Sequence, residues 1–537
     1  MCGIIFLIRY GANLDDETIR ISHEQIMSRG PDKQNSLRFK SKDGTADIFM
    51  GFSRLSVMDV TDDGLQPFKS SHDNIMICNG EIYNYDDLSN IYDIELATKC
   101  DCEIILPLYE KTNFKDMIDS LDAEFAIILF DEKQQTVYAA RDRYGVRPLF
   151  YGYNTATQTH GFASELKALH HMMEYIEPVE PNKYCKMNLS DNKIELIDYF
   201  DYGSLVAYPT IDVAEYVKNM VKDLFTEAVK KRLHADRPLG FLLSGGLDSS
   251  LIVAIATRIL GPDKIICFSI GLENSPDVVA SKIVTSYLGI KQHHIIPFDV
   301  NIGIEYIPEV IRTIESYDIT TIRASVPQYI MAKYINKHSN IRVLLSGEGS
   351  DEIHGSYRYF RDAPNPSEFH SETIRLLKEL YMFDNLRTDR TMSRNGLEVR
   401  VPFLDLEYVQ FIKRIDPQLL MYKEDYIEKK IIRDSFIGYL PDEILYRSKE
   451  AFSDAVSSTE INWFKSIQNR VAKEITLDEL ENNPFVINKP KTLDALYFRR
   501  IFNYIYPGRD NVIEHYWLPR FQKTEVVDPS ATVLKCY

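Results

Sequence analysis

An apolar run, RPLGFLL (237–243), ends in SGGLDSS (244–250) and passes without a break into LIVAIATRIL (251–260). A buried strand that feeds a Gly-rich loop and then a helix is the unit of a doubly wound parallel sheet, since parallel neighbours need a helical crossover between them. The unit recurs in IICFSIGL (265–272), HHIIPF (293–298) and NIRVLLSGEG (340–349), with helical spacing between. EYVKNMVKDLFTEAVKKRL (215–233) precedes the series, and its apolar residues three and four apart predict an amphipathic helix. The chain from about 366 to the end reads as mostly helical.

The first 200 residues have a different texture. CGIIFLI (2–8), DIFMGFSRLSVMD (47–59), NIMICNGEIY (74–83), FAIILFD (125–131) and TVYAARD (136–142) are short strand-like runs broken by SRGPD, DDG and NG. Such punctuation predicts antiparallel sheets. ETIRISHEQIMS (17–28) and CEIILPLYEKT (102–112) have helical spacing, so helical layers should cover the sheets. The expected domains are 1–205 and 206–537, divided within YFDYGSLVAYPT (199–210). The expected fold class is α/β and α+β.

Charge and cysteine usage exclude several function classes. Lys plus Arg is 62 against 79 for Asp plus Glu, a net charge of −17 where nucleic-acid binding would need a basic footprint. No apolar run approaches the ~20 residues of a membrane span, and no signal peptide is read at the start. The 7 cysteines (2, 78, 100, 102, 185, 267 and 536) are an odd, sparse set without a C-x-x-C pair. They read as reduced thiols of a cytoplasmic protein. The 12 histidines show no zinc spacing.

In SGGLDSS, Gly245 and Gly246 allow a tight turn, and Ser244, Ser249 and Ser250 add hydroxyls at a helix N-terminus. That is an anion cradle, and it lacks the lysine of a Walker A loop. The string resembles the pyrophosphate loop of enzymes that split ATP to AMP and pyrophosphate. SGEGSDE (346–352) sets Ser346, Gly347, Glu348, Asp351 and Glu352 at a second strand end. Acids beside phosphates need a cation, and Mg²⁺ takes one or two carboxylates with phosphate oxygens. Asp248 and Asp351 are the candidate ligands; Glu352 reads equally well as a solvated loop acid.

MCGIIFLI places a thiol at position 2. Buried Cys is commonly a small hydrophobe. Removal of Met1 would instead give Cys2 a free α-amine with a pKa of about 8, a base able to take the thiol proton. The opening alone leaves both readings standing.

The motifs MCGI, RGPD (29–32), RLSVMD (54–59), NGEIYN (79–84), RDRYGVRPL (141–149), SGGLDSS, SIGLENSPD (269–277), TTIRAS (320–325), SGEGSDE, RVPFLD (400–405) and KEAFSD (449–454) occur in this order. With them the chain resembles the glutamine-dependent asparagine synthetases from Cys2 to its C-terminal segment. The resemblance implies an αββα glutaminase of the N-terminal-nucleophile type followed by an ATP-pyrophosphatase-type synthetase domain. Cys2 would attack the glutamine amide, with Asn79 and Gly80 as the oxyanion hole. Arg54, in the segment with Leu55, Ser56, Val57 and Met58, would pair with the glutamine α-carboxylate. Asp101, with the Glu81 segment beside it, would hold the α-ammonium.

For the second half, the resemblance implies adenine-end contacts at Leu243 and Ile270, with Leu247 and Asp248 in the pyrophosphate loop. Ser346 and Gly347 would touch the nucleotide. Glu348 would serve formation of the β-aspartyl-AMP intermediate. Thr320, Thr321 and Arg323 would line the aspartate and phosphate site, and Lys449 would bind the intermediate's phosphate. Small-molecule substrates are implied, with no nucleic acid and no membrane, and a homodimer is compatible with the family. His354, Ser356 and Ala455 depart from the family pattern where apolar residues or glycines are usual; they bear on rates and loop mobility. A β-lactam-forming relative and a catalytically dead binding protein are the rivals. Retention of Cys2, Arg54, Asn79 and Asp101 opposes the first, and intact SGGLDSS and SGEGSDE oppose the second.

Overall fold

The computed structural model describes residues 1–190, 193–206, 214–272, 274–421, 427–447, 462–522 and 526–528. The chain divides into two compact units, one of Met1–Asp201 with Ala235–Arg237 and Ser393–Glu398, the other of the remainder.

The first unit holds two six-stranded sheets. In one, Gly3–Tyr10 lies between Thr159–Ala163 and Ala46–Arg54, antiparallel to both. In the other, Ile75–Ile82, Ala123–Asp131 and Thr136–Arg141 run as consecutive antiparallel neighbours. Ile4, Phe6, Ile8, Ile48, Met50 and Phe52 of the first sheet pack on Ile77, Ala126, Ile128, Phe130 and Ala139 of the second. The reverse face of the second sheet, with Met76, Cys78, Ile127 and Leu129, is covered by Leu88, Ile105, Leu108, Phe114 and Met117 from helices. Helices Asp16–Glu24 and Lys167–His170 lie on the first sheet's outer face. The order of layers is therefore α-β-β-α, as expected. A central strand with both faces covered loses the apolar–polar alternation: Ala46–Arg54 is buried at every position, and its middle, 48–52, is an unbroken apolar run. Each fully buried Ile or Phe contributes about 1.5–3 kcal/mol.

The stretch CEIILPLYEKT is helical only in part. Asp101–Ile104 forms a tighter 3₁₀ turn, and the α-helix begins at Ile105.

In the second unit, Gln292–Pro297, Ile266–Gly271, Leu239–Leu242 and Val343–Leu345 form a parallel sheet in that spatial order. The order reverses at Leu239–Leu242, so the strand that feeds SGGLDSS is the topological switch point, where open α/β sheets bind ligands. Helix Leu247–Leu260 is buried over most of its surface, which explains its nearly unbroken apolar sequence. Among the described residues no helix is long and apolar enough to cross a membrane.

Gly245 has φ +76°, and a Cβ there would lie 2.5 Å from the main-chain nitrogen of Ser281. Gly261 has φ +84° with open space around it. Left-handed backbone costs an L-residue roughly 1–2 kcal/mol. Gly261→Ala should lose only that, whereas Gly245→Ala should lose clearly more in denaturant unfolding and disturb the loop. Equal losses would mean that the Gly245 loop yields freely.

Candidate active sites

In the first unit, Arg29 of the RGPD motif fixes the chain start. Its Nε donates to the Cys2 carbonyl at 2.8 Å, and its other end holds Glu165 at 2.8 Å and Ser393 Oγ at 2.9 Å. Gly3 pairs with Ser53, so Cys2 stands beside the Arg54–Leu55 corner. Its Sγ lies 3.7 Å from the Leu55 carbonyl. Burial pushes the thiol pKa up to about 11, against the opposing pull of the chain's α-ammonium. Met1 is itself buried, with its α-amine 3.7 Å from Glu398 Oε2, and burial pulls that amine's pKa down.

Asn79 is fully buried, and neither Nδ2 nor Oδ1 has a hydrogen-bond partner among the described residues. An orphaned buried amide costs free energy of about 1–3 kcal/mol, so its retention points to a ligand that satisfies it. At Gly80 a Cβ would lie 2.5 Å from the Glu124 carbonyl, so only glycine fits this close approach.

Arg54 is buried, and its guanidinium is cupped by the carbonyls of Met58, Asp59 and Thr61. The surrounding loop is tied down main chain to side chain: Ser56 N–H donates to Asp32 at 2.9 Å, and the Val57 carbonyl accepts from Asp236 N–H at 3.0 Å. Asp101 is buried and accepts from the Ile82 N–H at 2.6 Å. Glu81 is buried in the same strand as Asn79.

In the second unit one cleft of about 250 Å³ gathers most of the residues expected at the nucleotide site. Ser244, Gly246, Leu247, Asp248 and Ser249 line it from the first loop, and Ser346, Gly347, Glu348 and Asp351 from the second. Leu243 and Ile270 line it at strand ends, and Thr320, Thr321 and Arg323 from helix Ile319–His338. Gly245 and Ser250 are not in its wall. Gly245 packs on Ala280 and Ser281, and Ser250 is fully buried with no partner for Oγ among the described residues.

Several side chains are already engaged. Ser244 and Ser249 hydroxyls meet at 3.1 Å across the first loop. Thr320 and Thr321 hydroxyls each donate to Asp318 at 2.8 Å, capping their helix. Arg323 directs its terminal nitrogens at Asp494 and Asp528, so its charge is committed to those carboxylates. Glu348 accepts from Arg387 at 2.8 Å, and Arg387 also holds Asp384 at 2.7 Å.

Asp248 and Asp351 converge, and a residue missed in the sequence joins them. Lys429 Nζ lies 2.7 Å from both oxygens of Asp248 and 2.7 Å from Asp351 Oδ1. Lys429 has φ +57°, a conformation unusual for a residue with a Cβ. Nothing in YIEKKIIRDS distinguishes it from a solvated helix-end lysine. Glu352 is not a solvated acid: it is buried, accepts from the Tyr357 hydroxyl at 2.5 Å, and desolvation with Asp384 and Asp351 nearby raises its pKa.

The departures have defined places. Ser356 Oγ donates to Asp351 Oδ1 at 2.5 Å, so the residue in place of the usual glycine holds a candidate metal ligand. His354 is buried; Nδ1–H donates to the Ser350 carbonyl at 2.8 Å, and Nε2 accepts from Tyr408 at 3.1 Å. Burial pulls its pKa down to about 3, so the ring is neutral. Lys449 and Ala455 lie outside the described residues.

A model of the glutamine amidotransferase domain matches residues 1–206, and a model of asparagine synthase matches residues 220–367 and 361–517. The chain is 58% identical over 552 residues to a protein of Acanthamoeba polyphaga mimivirus named "Probable asparagine synthetase (glutamine-hydrolyzing)", with 99% of this chain and 100% of that protein covered. It is 40% identical over 570 residues to the "Asparagine synthetase (glutamine-hydrolyzing)" of Rattus norvegicus, covering 100% of this chain and 99% of that protein. The chain belongs to the glutamine-hydrolysing asparagine synthetase family.

Proposed function

We propose that the chain makes asparagine from aspartate, ATP and glutamine, releasing AMP, pyrophosphate and glutamate. The observation that carries this reading is the switch-point cleft in which the SGGLDSS loop meets Glu348 and the acid pair Asp248–Asp351. The first 205 residues act as the glutaminase and residues 206–537 as the synthetase.

At the glutaminase site, loss of Met1 gives Cys2 the free α-amine. That amine takes the thiol proton as Sγ attacks the glutamine carboxamide carbon, and the developing oxyanion is met by the Asn79 side-chain amide and the Gly80 N–H. Ammonia leaves, and water then hydrolyses the thioester to glutamate. Arg54 and Asp101 bind the α-carboxylate and α-ammonium of glutamine. Their burial strengthens both pairings.

At the synthetase site the β-carboxylate of aspartate attacks the α-phosphorus of ATP, expelling pyrophosphate and leaving β-aspartyl-AMP. Ser244, Ser249 and the N-terminus of helix Leu247–Leu260 receive the pyrophosphate. Ammonia attacks the acyl carbon and AMP departs. Ammonia is almost wholly ammonium in neutral water, so it passes internally, shielded from bulk solvent. Asp248 and Asp351 supply hard oxygen donors of the kind Mg²⁺ takes; Lys429 Nζ lies between them, so an ion held there would displace that ammonium and would neutralise phosphate charge. Lys449 binds the phosphate of the intermediate. The 6 free thiols among the described residues support a reducing, cytoplasmic setting.

Incubation with aspartate, ATP and glutamine should yield asparagine with AMP and pyrophosphate in equal amounts. ADP and orthophosphate would overturn the mechanism. Mass analysis of the protein should show Met1 absent.

A further inference from the structure

Beside the glutamine site the first unit gathers three thiols that this chemistry does not use. Cys78 precedes Asn79 in the strand Ile75–Ile82, and Cys100 and Cys102 flank Asp101 at the 3₁₀ turn Asp101–Ile104. Sγ of Cys100, Sγ of Cys102 and a carboxylate oxygen of Asp101 all lie within 4.8 Å of one another. Cys102 Sγ is 3.8 Å from Asp101 Oδ2, and Cys100 Sγ is 3.9 Å from Asp101 Oδ1. Cys78, on the neighbouring strand, packs in the same buried cluster as Cys100 and Cys102. All four residues are buried, Cys78 to 1% exposure.

We propose that Cys78, Cys100, Cys102 and Asp101 form a site for a thiophilic metal ion of the Zn²⁺ class. Three sulfurs and one carboxylate oxygen complete a tetrahedral shell, the closed arrangement of a site without an open catalytic position. With Zn–S bonds of about 2.3 Å, tetrahedral ligands stand about 3.8 Å apart. The spacing of at most 4.8 Å among Cys100, Cys102 and Asp101 closes with side-chain movements of about an ångström, and Cys78 would turn in from its strand as the fourth ligand. A bound ion displaces one proton for each thiolate formed. An ion here takes the Asp101 carboxylate, which glutamine needs for its α-ammonium. The consequence is competition with glutamine, and this part rests on the function proposed above.

Equilibrium dialysis of the full chain against Zn²⁺ alone tests the site. One ion per chain should bind with proton release, and Cd²⁺ should give thiolate-to-metal ultraviolet absorption. Cys2→Ala should keep this binding, excluding the nucleophile as the ligand, whereas Cys78→Ala and Cys100→Ala should each weaken it at least tenfold. Ammonium-supported asparagine synthesis by the two latter variants should match the unaltered chain, which confirms folding. Undiminished binding in both variants, or no binding to the unaltered chain, overturns the site. In kinetics, Zn²⁺ should raise KM for glutamine at least tenfold with little change in ammonium-supported synthesis, and the Cys100→Ala variant should resist it. Cysteine-dependent binding with an unmoved KM overturns the competition and the role given to Asp101. Absence of asparagine formation with Mg²⁺ present and no Zn²⁺ added would overturn the proposed function instead.

Discussion

Cys2→Ala should abolish glutamine-dependent asparagine formation while leaving synthesis from added ammonium chloride. If the thiol were only a buried apolar atom, its loss would cost about 1 kcal/mol, as for small core truncations. Both nitrogen sources would then work equally well. As the nucleophile it has no substitute, and loss of thioester formation should lower the glutamine-dependent rate by about a thousandfold or more, about 4 kcal/mol at 1.36 kcal/mol per decade. Mildly alkaline pH should favour the rescue because it raises the share of free NH₃. An uncleaved residue in front of Cys2 should act in the same direction. With Met1 in place the thiol pKa stands at about 11, pushed up by burial, so almost no thiolate exists near neutrality. The cure is an α-amine on Cys2 itself, close enough to accept the proton. Undiminished glutamine-dependent synthesis in either variant would refute the assignment.

The sequence exposes the parts of this molecule whose cause is local. A buried strand, two glycines and a helix start are contiguous in 237–260, so the switch-point loop can be read before any tertiary contact is known. The apolar run 48–52 likewise announces a strand covered on both faces. The 3₁₀ turn at Asp101–Ile104 was not legible, because the spacing of CEIILPLYEKT suits either helix and the choice between them is not written in the apolar pattern.

Long-range pairs are invisible in the same way. Arg323 meets Asp494 and Asp528, 171 and 205 residues away, and Lys429 meets Asp248 across 181. Alone, each of these charges reads as a solvated side chain. Cys78 joins Cys100 and Cys102 only once strand Ile75–Ile82 lies against the 3₁₀ turn, so no metal-ligand spacing marks the cluster in the chain. Ser356 and His354 stand out in the sequence as departures, but what they do there needs the hydrogen bonds to Asp351, Ser350 and Tyr408.

Asp351→Asn should separate the two activities. The side chain keeps its size, yet the oxygen pair that faces Lys429 and accepts from Ser356 loses its charge. Asp248 alone then holds Lys429, and the two-carboxylate focus for a divalent cation is halved. Removal of one such carboxylate should lower asparagine synthesis by about a hundredfold or more, about 2.7 kcal/mol at 1.36 kcal/mol per decade. Glutamine hydrolysis measured without ATP should stay within about twofold, because Cys2, Arg54, Asn79 and Asp101 belong to the other compact unit. A higher requirement for Mg²⁺ in the residual synthesis should accompany the loss, since a weakened ligand set demands more free ion. The thermal midpoint serves as the control: Asn can still accept from Ser356, and Lys429 retains a carboxylate, so only a small shift is expected. Should both activities fall together with an unchanged midpoint, the division of labour between the two units would be wrong. A parallel fall with a lowered midpoint would place Asp351 among the residues that hold the second unit together, and its charge would then serve Lys429 rather than a metal.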